Sequence, residues 1–122
     1  MQKLTQQEEE AMLVVWKTGE ANVKSFLEQM PEPKPPYTTL ASTIKNLEKK
    51  GYVVSRQLGN MFLYKALIRE SDYKKKFINT VVKDYFEDSY KELVTFFAKE
   101  KKITAAELKE IIHLIEQKKP KQ

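Results

Sequence analysis

The chain has 122 residues, 41% apolar and 11% aromatic, with a net charge of +5 and no cysteine. That length holds one domain, or one small domain with an appendage, and the apolar content is enough for a packed core, which argues against disorder. Composition excludes disulfides and thiolate metal centres, and no apolar run approaches the ~20 residues that span a bilayer.

The N-terminal stretch MQKLTQQEEE is acidic where a secretory leader is basic and then apolar, so the expectation is a soluble, cytoplasmic protein with no direct membrane binding. Thr5-Gln-Gln-Glu8 is a capping box: Thr5 can satisfy an orphan N–H at a helix start while Glu8 reaches back to the Thr5 N–H. The helix it opens is expected to run to about Lys17, with Ala11, Met12, Val14, Val15 and Trp16 apolar, and Thr18-Gly19 closes it. Trp16 reads as core rather than as a ligand contact. A second helix is predicted from Ala21 to Met30, with Val23, Phe26, Leu27 and Met30 at core spacing. Pro31-Glu-Pro33-Lys-Pro35-Pro36 cannot be helical in its interior and serves as a stiff connector that aims the next element.

The third helix, from Tyr37 or Thr38 to Lys50, is the most informative. Leu40, Thr43, Ile44 and Leu47 recur at i, i+3, i+4, i+7, so one face is built for burial. The other face carries Thr38, Ser42, Lys45 and Lys49. Short hydroxyls let a helix backbone approach base edges in a major groove, and lysines reach phosphates. Thr39 and Asn46 join them as candidates; Thr38 or Thr39 could instead cap the helix. Tyr37 could donate to a phosphate or pack under the helix start. Charge agrees with this placement, since residues 34–76 hold ten Lys/Arg against three acids, whereas residues 1–33 hold three against six. A local positive field of this kind favours encounter with a polyanion.

Gly51 ends the helix. Tyr52 to Leu58 and Met61 to Leu67 are rich in β-branched and aromatic residues and are joined through Gly59-Asn60, the pattern of a β-hairpin. The order helix, helix, helix, strand, strand is that of a winged helix-turn-helix, expected to fill residues 1–70. Arg56 and Asn60 lie on or near the wing, where contact with the DNA backbone is the default expectation.

From Ser71 the periodicity is purely helical, and residues 71–122 are expected to form a helical dimerisation region. Tyr73, Phe77, Ile78, Val81, Val82, Tyr85 and Phe86 make one apolar stripe. Tyr90, Leu93, Val94 and Phe97 continue it beyond Asp88-Ser89. A second capping box, Thr104-Ala-Ala-Glu107, opens a last helix striped with Leu108, Ile111, Ile112 and Ile115. Some fifty residues of amphipathic helix are too few for a core of their own, so burial against a second copy of the chain is the economical solution. A homodimer also suits two half-sites of a pseudo-palindrome. The alternatives are that the stripes pack on their own winged-helix domain or line a pocket for a small apolar effector.

The fold class is therefore mainly α with a small β-wing. No enzyme is expected: there is one histidine, no cysteine and no Gly-rich phosphate loop. His113 alone is a poor metal site, so neither metal nor cofactor is expected. A sequence-specific repressor of double-stranded operator DNA competes with a winged-helix interaction module that binds protein, or nucleic acid without specificity.

The segment YTTLASTIKNLEKKGYV (Tyr37–Val53) resembles the recognition segment of the penicillinase-repressor family, the BlaI/MecI/CopY type. Gly59-Asn-Met-Phe-Leu-Tyr64 is similar to that family's wing, Phe86-Glu-Asp-Ser89 to its helix break, and ITAAELKEI (Ile103–Ile111) to the start of its last dimerisation helix. The resemblance implies a cytoplasmic homodimer repressing its own operon from an inverted-repeat operator. In the antibiotic-responsive branch it also implies a membrane sensor metallopeptidase as partner and relief by a cut at an Asn–Phe bond. Phe96–Phe97 aligns with that bond here, so its asparagine is missing. The copper-responsive branch reads metal through cysteines, which this chain lacks. Many family wings carry a basic residue after the turn glycine where this chain has Asn60, which implies a weaker wing contact.

Overall fold

The computed structural model describes residues 1–117. Among them, α1 (Gln6–Thr18), α2 (Val23–Gln29) and α3 (Tyr37–Lys49) precede the hairpin β1 (Val53–Leu58) and β2 (Met61–Ala66). Three further helices follow: α4 (Glu70–Tyr85), α5 (Tyr90–Lys99) and α6 (Ala105–Gln117). The architecture is mostly helical with a two-stranded antiparallel wing, as the residue pattern indicates.

Each boundary has a local cause. The Thr5 hydroxyl accepts the Glu8 N–H at 3.1 Å and the Glu8 carboxylate accepts the Thr5 N–H at 2.9 Å, the reciprocal box expected at the start of α1. Gly19 stops that helix at φ +87°, a conformation costly for residues with a Cβ. Helix α2 begins at Val23, later than the predicted Ala21. Ala21 is held extended by an antiparallel bridge to Tyr64, with N–H···O distances of 3.1 and 2.8 Å in the two directions, and Asn22 caps the Ser25 N–H at 2.8 Å. Lys34 closes the other end, donating to the carbonyls of Leu27 and Glu28 at 3.1 and 2.8 Å, where the helix dipole favours a cation.

Helix α3 is capped at Pro36 without a side-chain bond, so neither Thr38 nor Thr39 is its cap; both lie inside the first turn. Leu40, Ile44 and Leu47 are buried, and Thr43, also buried, satisfies its hydroxyl on the Thr39 carbonyl at 2.9 Å. The strands pair from Val53↔Ala66 to Leu58↔Met61, leaving Gly59 and Asn60 as a two-residue turn. Gly59 has φ +63°, as the first central residue of a glycine-demanding hairpin turn requires. The core joins Met12 and Val15 of α1, Phe26 of α2, the buried face of α3, and Tyr52, Val53 and Tyr64.

Chain contacts divide the protein into two compact units, the first Met1–Lys74 and the second from Lys75 onward. The first turn of α4 belongs to the first unit because it packs on the winged helix. The Trp16 indole donates to the Ile68 carbonyl at 2.8 Å, and its ring lies 5.4 Å from that of Tyr73. Tyr73 also meets Tyr52 edge-on at 6.0 Å and donates to Glu9 at 2.6 Å. Tyr73 is therefore partly buried against the core of the first unit, whereas Phe77 and Ile78 further along α4 are exposed.

In the second unit, Glu87 and Asp88 adopt φ +51° and +62°, which ends α4, and Ser89 then caps the Glu92 N–H of α5 at 3.1 Å. Thr104 and Glu107 form the reciprocal capping box of α6, at 2.9 and 3.1 Å. Phe96 packs on Phe86 and Phe97 at 5.7 and 5.5 Å. No residue of α5 or α6 is buried. No helix among the described residues is long and apolar enough to cross a membrane.

Candidate nucleic-acid interface

Helix α3 is gripped on one face and free on the other. Thr38, Ser42, Lys45 and Lys49, spaced to fall on one side of a helix, are all solvent-exposed, as are Thr39 and Asn46 beside them. Lys45 and Lys49 make no hydrogen bond or ion pair among the described residues. Their charges are thus available to a partner. Tyr37 is 52% exposed, so it is not packed under the helix start and its hydroxyl is free to donate.

The C-terminal end of α3 is fixed by polar contacts. Lys50 Nζ donates to Glu8 Oε1 at 2.6 Å and to the Lys3 carbonyl at 3.0 Å. Burial pushes the Glu8 carboxyl up, but the hydrogen bonds from Lys50 and Thr5 and the Lys50 charge outweigh it, leaving the carboxyl below its usual range. Glu48 accepts the Ser55 hydroxyl at 2.6 Å, joining α3 to the first strand of the wing. The result is a helix whose polar face is exposed while its far end is anchored to α1 and β1.

The one arginine of the wing is already paired within the protein. Arg56 Nε and Nη2 donate to the two carboxylate oxygens of Glu20 at 2.8 and 3.0 Å, so the guanidinium is engaged within the protein. Asn60 is exposed in the turn, flanked by Leu58, Met61 and Phe62, each about half exposed. The wing tip is therefore uncharged and apolar. Glu20 gives no sequence signal of this role, because its partner lies 36 residues away, beyond any local spacing pattern.

Of the residues assigned to a dimer seam, Phe77, Tyr85, Phe97, Ile111, Ile112 and Ile115 are exposed in the single chain. Val81, Phe86, Leu93 and Leu108 are half-buried. Phe96, on the N-terminal side of the candidate cleavage bond, is 48% exposed and helical. Groups of three or more His, Asp or Glu arranged to hold a metal ion do not occur among the described residues.

A family model described as "Penicillinase repressor" matches residues 4–117. The methicillin resistance regulatory protein MecI of Staphylococcus aureus (strain N315) is 25% identical over 118 residues, covering 95% of each chain. The penicillinase repressor of Bacillus licheniformis is 23% identical over 122 residues, covering 96% of this chain and 92% of its own. The solution structure of the DNA-binding domain of the repressor BlaI superposes with a TM-score of 0.51 at 28% identity, covering 60% of this chain and 94% of that one.

Proposed function

The chain belongs to the penicillinase repressor family, and from that premise we propose that it is a homodimeric transcriptional repressor acting in the cytoplasm on an inverted-repeat operator. The observation that carries this reading is the face of α3: exposed hydroxyls at Thr38 and Ser42, then unpaired lysines at Lys45 and Lys49, on a helix anchored from behind. Hydroxyls at the base edges and lysines on phosphates are what major-groove reading requires. The chain is a regulator rather than a catalyst, in keeping with the relatives it matches.

Dimerisation rests on the second unit. Phe77, Tyr85, Ile111, Ile112, Leu114 and Ile115 are each between 44% and 78% exposed in the single chain, and exposed apolar helix faces of this kind mark association surfaces. A second copy of the same helices would cover them and set two α3 helices at two half-sites. Relief of repression by a membrane sensor metallopeptidase would then act on this unit. A cut at Phe96–Phe97 severs α5 and removes α6 from the seam. Incubating the repressor with its co-expressed receptor and inducer, and finding it whole while repression lifts, would rule out the proteolytic route.

The decisive assay is a mobility shift with the DNA upstream of the protein's own gene, at physiological salt with excess random competitor. A discrete complex at nanomolar protein that is lost on Ser42→Ala with Lys45→Ala supports the reading. A complex erased by competitor favours the second one, an interaction module without sequence specificity, for which the apolar wing tip of Leu58, Met61 and Phe62 is the specific support.

A further inference from the structure

The wing carries two charged side chains, Arg56 on β1 and Lys65 on β2. Both bear on a single carboxylate that lies outside it. Arg56 forks onto Glu20 at 2.8 and 3.0 Å. The Glu20 carboxyl is held below its usual range by those hydrogen bonds first, and also by the charges of Arg56 and Lys65.

Glu20 is not needed to aim the wing. The next residue, Ala21, is tied to Tyr64 by two backbone hydrogen bonds, and the Asn22 amide reaches Met61 Sδ at 3.2 Å. Three consecutive residues of the α1–α2 turn thus touch the hairpin, and two of them fix its position without charge. What the carboxylate adds is neutralisation. Its pair with Arg56 stands in solvent, with side chains 30% and 55% exposed, where ion pairs contribute little to stability. A carboxylate and a phosphate offer a guanidinium the same two-oxygen geometry.

We propose that Glu20 acts as an internal stand-in for a DNA phosphate, occupying Arg56 and withholding the wing's arginine from the duplex. The inference rests on the reading that α3 and the wing face DNA. It makes Glu20 a determinant of affinity and salt dependence although it touches no nucleic acid. Contact with the duplex then comes mainly from the lysines of α3, with the wing lying against it as an uncharged element.

The test is a fluorescence-anisotropy titration over a range of salt concentrations. The probes are the duplex upstream of the protein's own gene and a random duplex of equal length. Glu20→Gln should bind both more tightly, with the slope of log affinity against log salt steeper by about 0.9, the value of one added phosphate contact. Arg56→Gln alone should leave the wild-type slope unchanged, and adding it to Glu20→Gln should abolish the gain. Glu20→Asp, which keeps the charge, should behave as wild type, and thermal melts should show every variant folded. A Glu20→Gln slope equal to wild type, or a gain that survives loss of Arg56, overturns the inference while leaving the DNA reading intact. Failure of the wild type to bind either duplex overturns both.

Discussion

One oxygen of Glu8, Oε1, accepts both the Thr5 N–H at 2.9 Å and the Lys50 ammonium at 2.6 Å. The carboxylate that starts α1 thus also holds the end of α3. The buried position of Glu8 keeps water from replacing either bond. The cap of α1 and the anchor of α3 are therefore one structural element.

Glu8→Ala should destabilise the protein by about 1–3 kcal/mol, the usual cost of losing hydrogen bonds to a charged group, as measured by urea unfolding at neutral pH. The folded carboxyl lies below the ordinary 4.5, so its contribution is present above that value and is lost as pH falls through the folded pKa. The stability gap between wild type and Glu8→Gln should accordingly narrow on acidification. A gap constant between neutral pH and strong acid would show that the ionised form of Glu8 plays no part.

On α3, Lys45→Ala and Lys49→Ala should each reduce the slope of log affinity against log salt by about 0.9 on any duplex. Ser42→Ala should leave that slope alone and reduce discrimination between operator and random DNA, by roughly 1–3 kcal/mol if it reads a base edge. Competition titrations at two salt concentrations separate the two effects.

Ile44 lies fully buried on the face of α3 opposite its exposed hydroxyls and lysines. Ile44→Val should cost about 0.5–1.5 kcal/mol and Ile44→Ala about 2–5 kcal/mol, because a cavity under α3 cannot close without moving a helix anchored at its far end. The valine variant should retain DNA binding at 25 °C. Chemical unfolding read beside anisotropy checks both statements.

Exposed seam residues make better dimer probes than half-buried ones. Phe77 and Ile112 are 52% and 53% exposed in the single chain, so a charge there leaves each unit foldable, whereas Phe86 packs on Phe96 internally. Phe77→Glu with Ile112→Glu should sediment as a monomer with unchanged helicity and bind operator more weakly, since one half-site lacks the avidity of two. Retention of the dimer would place the seam elsewhere.

What could be read from the sequence was what short-range chemistry determines. Both capping boxes, at Thr5 and Thr104, appear where four-residue spacing puts them, and the i, i+3, i+4, i+7 pattern of Leu40, Thr43, Ile44 and Leu47 names the buried face of α3. The misses are all non-local. Ala21 looked helical because its neighbours are, but its backbone pairs with Tyr64. Tyr73 shares the period of the exposed stripe, yet a hydrogen bond to Glu9 and contacts with Trp16 and Tyr52 draw it into the first unit. The Glu20 partner of Arg56 carries no local signal, since 36 residues separate the two.

The Ala21–Tyr64 bridge bears on how the hairpin avoids edge-to-edge strand pairing between molecules. A two-stranded hairpin presents open hydrogen-bonding groups along both outer margins, a template for pairing with a neighbouring molecule, and this one also carries Leu58, Met61 and Phe62 in water. By filling the Tyr64 N–H and C=O, Ala21 interrupts the outer margin of β2 near the middle of the strand. A foreign strand cannot then zip along that side, and the apolar tip remains too short a segment to nucleate stacking on its own.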